Sequence, residues 1–402
     1  MSFRKMSCSL VMGAVAALLA HTDARAQTET TCVFNPATAV VTIRVDGLPT
    51  TVTRTSLGVI RVNSVPCGGA TTANTDRILI RGGALRDIVT LVGDYQPGLT
   101  PEEGLSEIEI QASSIQIFTW VLGADDDTLV YINGGLDFGG DGDVDVTGVV
   151  IGNIQGRGGN DLLDFSRNGA NFTLGGGPGN DELIGGSGQN TLIGGPGDDT
   201  LRGNAGSDHL EGGPGDDVEL GGAGTDRFEQ GNAANGSDFL SGGAGVDIVD
   251  YGQRTVGVNV TIGAGGEDDG EPGEADEVNV DVENAIGGDG DDTLVGTSGR
   301  NTLTGGAGND DLFGGPNNDR LYGGDGDDFL QGDAGANLFF GEAGNDILVG
   351  SLQGLEKFFG GDGDDQISLN TDGRAEPVNC GAGNDTAEAN DEDNFIDCEL
   401  AP

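Results

Sequence analysis

The sequence predicts an all-β protein: a parallel β-roll or β-solenoid of nonapeptide repeats, preceded by an irregular β-rich N-terminal segment. Two arrays of nine-residue units carry this prediction, one over residues 176–229 and the other over 287–349. The units of the second array read GGDGDDTLV, GTSGRNTLT, GGAGNDDLF, GGPNNDRLY, GGDGDDFLQ, GDAGANLFF and GEAGNDILV. In addition, no stretch of the chain shows a helical period of useful length.

Each unit divides into a turn and a short strand. Its first six places hold glycine, small residues and Asn or Asp, which adopt positive φ readily and let the backbone turn sharply. The last three places form a strand, in which only the eighth place needs to face inward. The predicted inward residues are Leu183, Leu192, Leu201, Leu210, Phe228, Leu294, Leu303, Leu312, Leu321, Leu330, Phe339 and Leu348.

The consensus G-G-x-G-x-D-x-U-x, in which U is a large apolar residue, resembles the RTX (hemolysin-type) calcium-binding repeat. The resemblance implies that two units form one coil and that Ca²⁺ lies between stacked turns, held by Asp side chains and turn carbonyls. Oxygen ligands of this kind suit Ca²⁺, which takes about six to eight of them. The metal ligands predicted on this basis are Asp181, Asp199, Asp208, Asp217, Asp226, Asp247, Asp292, Asp310, Asp319, Asp328, Asp346, Asp365 and Asp385.

The two edges of the predicted solenoid differ in charge. In the second array one edge has Asp at every sixth place, whereas the opposite edge has Asn301, Asp319 and Asn337. Arg300 stands beside the first of these. Because Asn offers an oxygen without a charge, we expect one strong and one weak calcium-binding face. Equal occupancy of the two edges in a calcium-soaked crystal would refute this expectation.

Composition limits the possible partners. The 402 residues include 77 glycines, only 5% are aromatic, and the net charge is −49. Such a composition by itself is typical of a disordered chain. The periodicity overrules that interpretation, provided that cations neutralise the stacked carboxylates. The negative charge disfavours nucleic acid and an anionic membrane surface as partners.

The start of the chain, residues 1–26, is predicted to be a secretory signal peptide. Arg4 and Lys5 precede an apolar run at 10–20, and Ala24-Arg25-Ala26 offers a cleavage site before Gln27. The apolar run is too short to span a membrane, so no transmembrane segment is predicted. We therefore expect a secreted, extracellular protein exported by the general secretory route, with the periplasm or the cell surface as alternatives. The usual RTX pattern is different, because it uses an uncleaved C-terminal signal.

The segment 27–174 lacks a clear nonapeptide but is rich in predicted strands. Degenerate versions of the turn, such as GGALRD at 82–87 and GRGGND at 156–161, lie between the predicted strands. We interpret the segment as a degenerate β-solenoid with longer coils that stacks on the first array and caps it. A separate small β-sandwich is the alternative. The strands are predicted at 40–45, 59–62, 78–80, 108–120 and 128–132.

The remaining chain is assigned to four parts: a first array at 175–251, an acidic β insert at 252–286, a second array at 287–368, and degenerate repeats with a disulfide-closed cap at 369–402. One unit of the first array has Glu219 at the inward eighth place. A one-residue slip is expected there, which would turn Glu219 outward.

Four cysteines remain after removal of the signal peptide. Export favours disulfides, although four cysteines allow three pairings. Cys380 and Cys398 are one coil apart, and stacked strands lie about 4.8 Å apart, within the roughly 4.4–6.8 Å that a disulfide spans. The predicted pairs are Cys380–Cys398, which closes the C-terminal end, and Cys32–Cys67.

No catalytic centre is predicted. The only histidine after residue 26, His209, occupies an outward place, and the motifs G-x-S-x-G and H-E-x-x-H do not occur. The predicted function is that of a secreted calcium-ion-binding repeat protein in which Ca²⁺ binding is coupled to folding, with a structural or adhesive use. The alternative is an N-terminal module that binds or modifies polysaccharide, with the arrays as a stabilising tail. Polysaccharide or the cell surface therefore stays open as a partner besides calcium.

Overall fold

The described part of the chain consists of strands and turns. A computed structural model describes residues 151–264, 269–351, 354–369, 375–388 and 394–400 continuously, together with the strands between residues 31 and 147. Every regular element in these residues is a strand. Accordingly, no helix in the described residues has the length and apolarity to cross a membrane. The predicted all-β parallel solenoid is confirmed.

The chain divides into two compact units, 1–183 and 184–402. In the first unit most strands pair in parallel with strands distant in sequence; Val40 pairs with Arg77, and Arg77 with Glu109. Parallel pairing across long connections is what a solenoid with long coils produces. The strands are Thr31–Asn35, Val40–Val45, Thr50–Arg54, Val59–Val62, Val65–Thr71, Arg77–Gly82, Ile88–Val92, Glu109–Ser113, Ile117–Val121, Thr128–Ile132, Gly135–Phe138, Val146–Thr147, Ile151–Gln155, Leu162–Asp164 and Thr173–Gly175, and Glu182–Ile184 spans the unit boundary.

The predicted strands of this unit are found with small differences. Those at 40–45, 59–62 and 128–132 have the predicted bounds. The long alternating stretch at 108–120 forms two strands, Glu109–Ser113 and Ile117–Val121. A few neighbouring strands pair antiparallel as hairpins, for example Thr31–Asn35 with Val40–Val45.

The second unit has much shorter coils. Most strands pair in parallel with the strand one coil later, as Thr302 does with Arg320 and Thr293 with Asp311. The strands are Thr191–Ile193, Thr200–Ala205, His209–Glu211, Val218–Gly224, Arg227–Glu229, Phe239–Gly245, Ile248–Asp250, Asn259–Thr261, Glu277–Val278, Asn284–Ile286, Thr293–Val295, Thr302–Ala307, Asp311–Phe313, Arg320–Asp325, Phe329–Gln331, Leu338–Ala343, Ile347–Val349, Lys357–Asp362, Gln366–Ser368, Pro377–Ala382, Thr386–Glu388, Asn394–Ile396 and Glu399–Leu400.

The acidic insert changes which strands face each other in this unit. One sheet continues past the insert, since Ile248–Asp250 pairs with Asn284–Ile286. A second sheet ends at Glu277–Val278. A third begins at Asn259–Thr261, which pairs with Thr293–Val295. The insert therefore ends one face of the solenoid and starts another.

The core is a set of ladders of eighth-place side chains. All the predicted inward residues are fully buried, with no exposed area. Residues in consecutive coils stack directly: the rings of Phe339 and Phe358 lie 4.7 Å apart at an angle of 2°. Each coil thus contributes two inward side chains, and the burial of these apolar ladders stabilises the stack.

The predicted slip at Glu219 is wrong. Glu219 stays in register between Leu201 and Leu240, and its side chain is fully buried. Its Oε1 accepts hydrogen bonds from the backbone N–H of Gly212, at 3.2 Å, and from Gln230 Nε2, at 3.3 Å. A slip would break the parallel ladder with the strands on both sides, whereas these local donors accommodate a buried acid without one.

The C-terminal staple is present as predicted. A disulfide joins Cys380 and Cys398, whose Cα atoms are 5.2 Å apart. Cys380 lies in the strand Pro377–Ala382, which pairs with Asn394–Ile396. The signal peptide and the side chains of Cys32 and Cys67 lie outside the described residues, so those predictions stay predictions.

Candidate metal centre

The sixth-place Asp residues form ladders that run along the coils. Asp310 donates its backbone N–H to Asp328 Oδ1 at 2.9 Å, and Asp328 donates its own to Asp346 Oδ1 at the same distance. One carboxylate oxygen of each Asp thus joins its turn to the turn one coil earlier. The same bond links Asp208 with Asp226, Asp226 with Asp247, Asp292 with Asp310, Asp346 with Asp365, and Asp365 with Asp385.

In many of the described sixth-place Asp residues the second carboxylate oxygen is buried and has no hydrogen-bond partner. A buried carboxylate oxygen in a protein usually accepts a hydrogen bond, because an unsatisfied buried acceptor costs about 1–3 kcal/mol. Its repetition at one place of the repeat indicates that a ligand is required. The Oδ2 atoms concerned belong to Asp208, Asp217, Asp226, Asp247, Asp310, Asp319, Asp328, Asp346, Asp365 and Asp385.

The first-place glycine keeps open the space beside each of these oxygens. A Cβ on Gly323 would collide with Asp328 Oδ2 and would lie 2.7 Å from the carbonyl oxygen of Gly341 in the next coil. Both oxygens therefore face a space that exists only because the first place has no side chain. Gly305 and Gly341 stand in the same relation to Asp310 and Asp346.

Further carbonyl oxygens point along the stacking direction. Gly324 and Gly326 have φ of 126° and 138°, values that favour glycine. A Cβ on either would collide with the carbonyl oxygen of its counterpart one coil earlier, Gly306 or Gly308. Turn carbonyls and Asp oxygens from adjacent coils thus lie close together, and oxygen is the ligand that Ca²⁺ prefers.

Backbone carbonyls are essential to any such site. Within the described residues, no three Asp, Glu, His or Cys side chains converge as a metal-binding group. Side-chain carboxylates follow one another along a ladder instead of meeting at a point. Ions would therefore be held by carboxylates from neighbouring coils together with turn carbonyls, as the residues on each turn permit.

The electrostatics of the ladders are unfavourable without a cation. The pKa of Asp328 is raised to about 8, chiefly by burial and further by the charges of Asp310, Asp346 and Asp327, against a lowering by the N–H of Asp310. Burial likewise raises the pKa of Asp319 to about 7. A bound divalent cation would stabilise the ionised form and offset the cost of burying these charges.

The structure buries every predicted ligand, but not all are equivalent. All the predicted Asp residues have at most 3% of their surface exposed. Asp292 differs from the others, because its Oδ1 accepts the N–H of Val258 at 2.7 Å and its Oδ2 that of Gly288 at 2.6 Å. It lies at the first coil of the second array, and both its oxygens already have donors.

In turns with Asn at the sixth place, the side-chain amide donates to a backbone carbonyl oxygen. Asn337 Oδ1 accepts the N–H of Asp319 at 2.9 Å, as an Asp would. Its Nδ2 donates to the carbonyl oxygen of Asp333 in the same turn at 3.0 Å. Asn190 Nδ2 donates in the same way to Gly188 O at 2.8 Å. In these turns an amide N–H lies where an Asp turn presents a second oxygen, so the turn carbonyl has a donor without a cation.

Sequence reasoning missed several acids that continue the ladders. Asp238 Oδ1 accepts the N–H of Asp217 at 2.9 Å, and Glu283 Oε2 accepts that of Asp247 at 2.8 Å. Glu356 is buried on the Asn edge, where both its oxygens accept the N–H of Ser351. These residues lie in or beside units of irregular length, so counting in nines does not reach them. Only their pairing across coils assigns them to the ladders.

Comparison with known families gives one match. The model of the RTX calcium-binding nonapeptide repeat, in four copies, matches residues 175–208, 193–228, 231–253, 286–321 and 322–353. These segments coincide with the two arrays whose Asp ladders are described above. No match was found among curated proteins.

Proposed function

From the premise that residues 175–353 contain RTX calcium-binding nonapeptide repeats, which bind Ca²⁺, we propose that this protein is a secreted structural β-solenoid. Its folding depends on the ions that its turns hold. Proteins with such repeats are generally extracellular, where calcium is available. The signal peptide expected at residues 1–26 fits export before folding.

The observation that carries this proposal is the buried Oδ2 without a partner at the sixth place of successive coils. A chain that buried these carboxylates without cations would accumulate a desolvation cost and like-charge repulsion at every coil. A Ca²⁺ ion shared by neighbouring turns removes both costs. Because the turns exist only in the folded solenoid, the binding free energy becomes folding free energy.

We propose as ligands the Asp residues predicted from the repeats, with turn carbonyls completing each shell. In the Asp residues whose second oxygen has no partner, Oδ1 links neighbouring coils through a backbone N–H and Oδ2 meets the ion. The adjacent first-place glycine leaves room for the ion. Asp292, whose oxygens both have backbone donors, would have to give up the Gly288 N–H to join a site. The edge of the second array that carries Asn301 and Asn337 is the weaker binding face, because its amides already satisfy turn oxygens.

A rigid, ion-filled solenoid suits a structural or adhesive use outside the cell. The matched repeats are a structural module, and the described residues contain no arrangement that assigns a reaction to them. The negative surface favours cations and neutral partners over nucleic acid. The expected structural role is therefore that of a spacer or surface component that becomes stiff when calcium is bound.

The test is a calcium titration of the chain from residue 27 onward, followed by far-ultraviolet circular dichroism, with magnesium as the control ion. The expected result is a cooperative gain of β signal and of melting temperature with calcium, and little change with magnesium, which demands a stricter geometry and loses its waters reluctantly. The same β spectrum and melting temperature after exhaustive chelation would contradict the proposal.

A further inference from the structure

The interruption between the two arrays contains an arginine inside the protein. Arg254 has no exposed surface and is the largest fully buried side chain among the described residues. Its Nε and Nη2 donate to the carbonyl oxygen of Gln230, at 3.0 and 2.7 Å. Nη2 also donates to Asn235 Oδ1 at 2.7 Å. The guanidinium is thus held by oxygens of the last first-array turns.

Two carboxylates of the acidic insert complete its surroundings. Arg254 Nη1 lies 3.0 Å from Glu271 Oε1 and 3.1 Å from Glu274 Oε2, and Nη2 lies 3.1 Å from Glu274 Oε1. The contact with Glu274 is therefore bidentate, the geometry in which Arg binds a carboxylate most strongly. The acidic insert thus binds a buried cation through these two side chains.

The Asp ladder beside Arg254 differs from those of the arrays. Asp238 donates its N–H to Asp276 Oδ1 at 2.9 Å, the usual bond between coils. Here, however, the second oxygens have donors. Asn235 Nδ2 donates to Asp238 Oδ2 at 2.9 Å, and the buried Tyr251 hydroxyl donates to Asp276 Oδ2 at 2.8 Å. In array turns such as those of Asp310 and Asp328 the corresponding oxygen has no partner.

We propose that the Arg254 guanidinium is the cation of this junction and does there what Ca²⁺ does in the arrays. The inference rests on the proposed function only in assigning Ca²⁺ to the arrays. A divalent ion is replaced by a side chain that cannot dissociate, together with an amide and a hydroxyl that satisfy the remaining oxygens. The junction, defined as residues 230–254 and 269–279, therefore keeps its structure when calcium is removed.

This arrangement gives the solenoid a metal-independent centre. When calcium falls, the coils of the arrays lose their ions, while the junction stays folded as the template on which neighbouring coils re-form. A second consequence follows from the lining of the guanidinium site, which consists of oxygens from Gln230, Asn235, Glu271 and Glu274. If the guanidinium is removed, this site becomes suitable for a calcium ion.

The experiment is hydrogen exchange of the chain from residue 27 onward, in calcium and in chelator. Junction protection is followed at the amides of Glu277 and Asn279, which bond to Asp238 O and Leu240 O. Array protection is followed at Phe329 and Ile347, which bond to Asp310 O and Asp328 O. In chelator, the junction amides are expected to exchange about a hundredfold more slowly than the array amides.

Arg254→Met is expected to abolish that difference in chelator, because it leaves the buried carboxylate of Glu274 and the partly buried one of Glu271 without their cation. Arg320→Met, the same substitution at an exposed array position, is the matched control and should leave it intact. Junction amides that exchange as fast as array amides in the wild type, or unchanged protection in Arg254→Met, would overturn the inference.

Two further measurements keep the test decisive if Arg254→Met does not fold. Tyr251→Phe removes only the hydroxyl bond to Asp276 and should speed junction exchange in chelator by about tenfold while array exchange stays unchanged; no change would contradict the inference. Arg254→Ala should bind one calcium ion more than the wild type by metal analysis after gel filtration, and equal stoichiometry would contradict it. If the array amides exchanged equally slowly with and without calcium, the proposed function would be refuted instead. The role of Arg254 would still be decided by hydrogen exchange of Arg254→Met.

Discussion

Replacing Asp328 with Asn should have opposite effects on stability with and without calcium. The side chain lies in the middle of the second array's all-Asp ladder, where Oδ1 accepts the Asp310 N–H and Oδ2 is buried without a partner. Asn can keep the first bond, as Asn337 does on the other edge. It loses the charged oxygen and offers an amide N–H to the turn carbonyls in its place.

The magnitude follows from these contacts. In calcium at about a hundred times its dissociation constant, loss of one bound ion removes about 2.7 kcal/mol of stability. In chelator, the wild type holds an unsatisfied buried carboxylate, and its removal relieves about 1–3 kcal/mol. The relief is greatest above the raised pKa of Asp328, about 8, where the wild-type group is ionised.

The assay is thermal or urea unfolding of both proteins in calcium and in chelator, in a mildly alkaline buffer. Leu330→Ala, in the strand of the same unit, is the control. It removes a fully buried core side chain and should cost about 2–5 kcal/mol under both conditions. If Asp328→Asn lowered stability equally in both buffers, or changed neither, the sixth-place carboxylate would not be an ion ligand.

Three further predictions concern the weak edge, pH and the disulfide. The double substitution Asn301→Asp and Asn337→Asp should raise the number of bound calcium ions and destabilise the chelated protein by roughly 1–3 kcal/mol per site; an unchanged ion count in metal analysis would contradict the unequal edges. In chelator, β content measured by circular dichroism should rise as pH falls from about 8 towards 4. A folded-state pKa above the ordinary value of 3.8, as for Asp328, gives the folded protein extra stability at low pH, and this stability is lost as pH rises through the folded-state pKa. A fall in β content as the pH is lowered over that range would refute this prediction. Finally, Cys398→Ser should lower the free energy of unfolding by about 3 kcal/mol, because the loop closed by the disulfide with Cys380 is lost. Proteolysis after residue 377 should become faster in calcium. Unchanged proteolysis would show that the C-terminal coils do not need the disulfide.

Much of the fold is predictable because the repeat is local. The alternation of a glycine-rich turn with one inward residue is visible in any unit, so the buried state of Leu303 or Leu330 follows from spacing alone. The same holds for the ladder of Asp310 and Asp328, because two nine-residue units make one coil. Cys380 and Cys398 were paired correctly for the same reason, since they stand one coil apart.

Glu219 shows where local reasoning fails. An acid at an inward place suggests a slip when only the unit itself is considered. The tertiary structure keeps it in register because Leu201 and Leu240 hold the strands on either side, and the donors of Gly212 and Gln230 meet its carboxylate. Parallel pairing over a whole strand outweighs the preference of one side chain.

The periodic part of this protein is therefore predictable from its sequence: the solenoid, its inward ladders, and the rows of acids for which calcium is the expected counter-ion. How the acids outside the period are satisfied depends on contacts that only the folded chain makes. Arg254 meets Glu271 and Glu274 through an insert that obeys no repeat, and Asp238 meets Asp276 across it. A period predicts contacts between equivalent residues, whereas contacts across an irregular insert depend on how the chain returns to the stack.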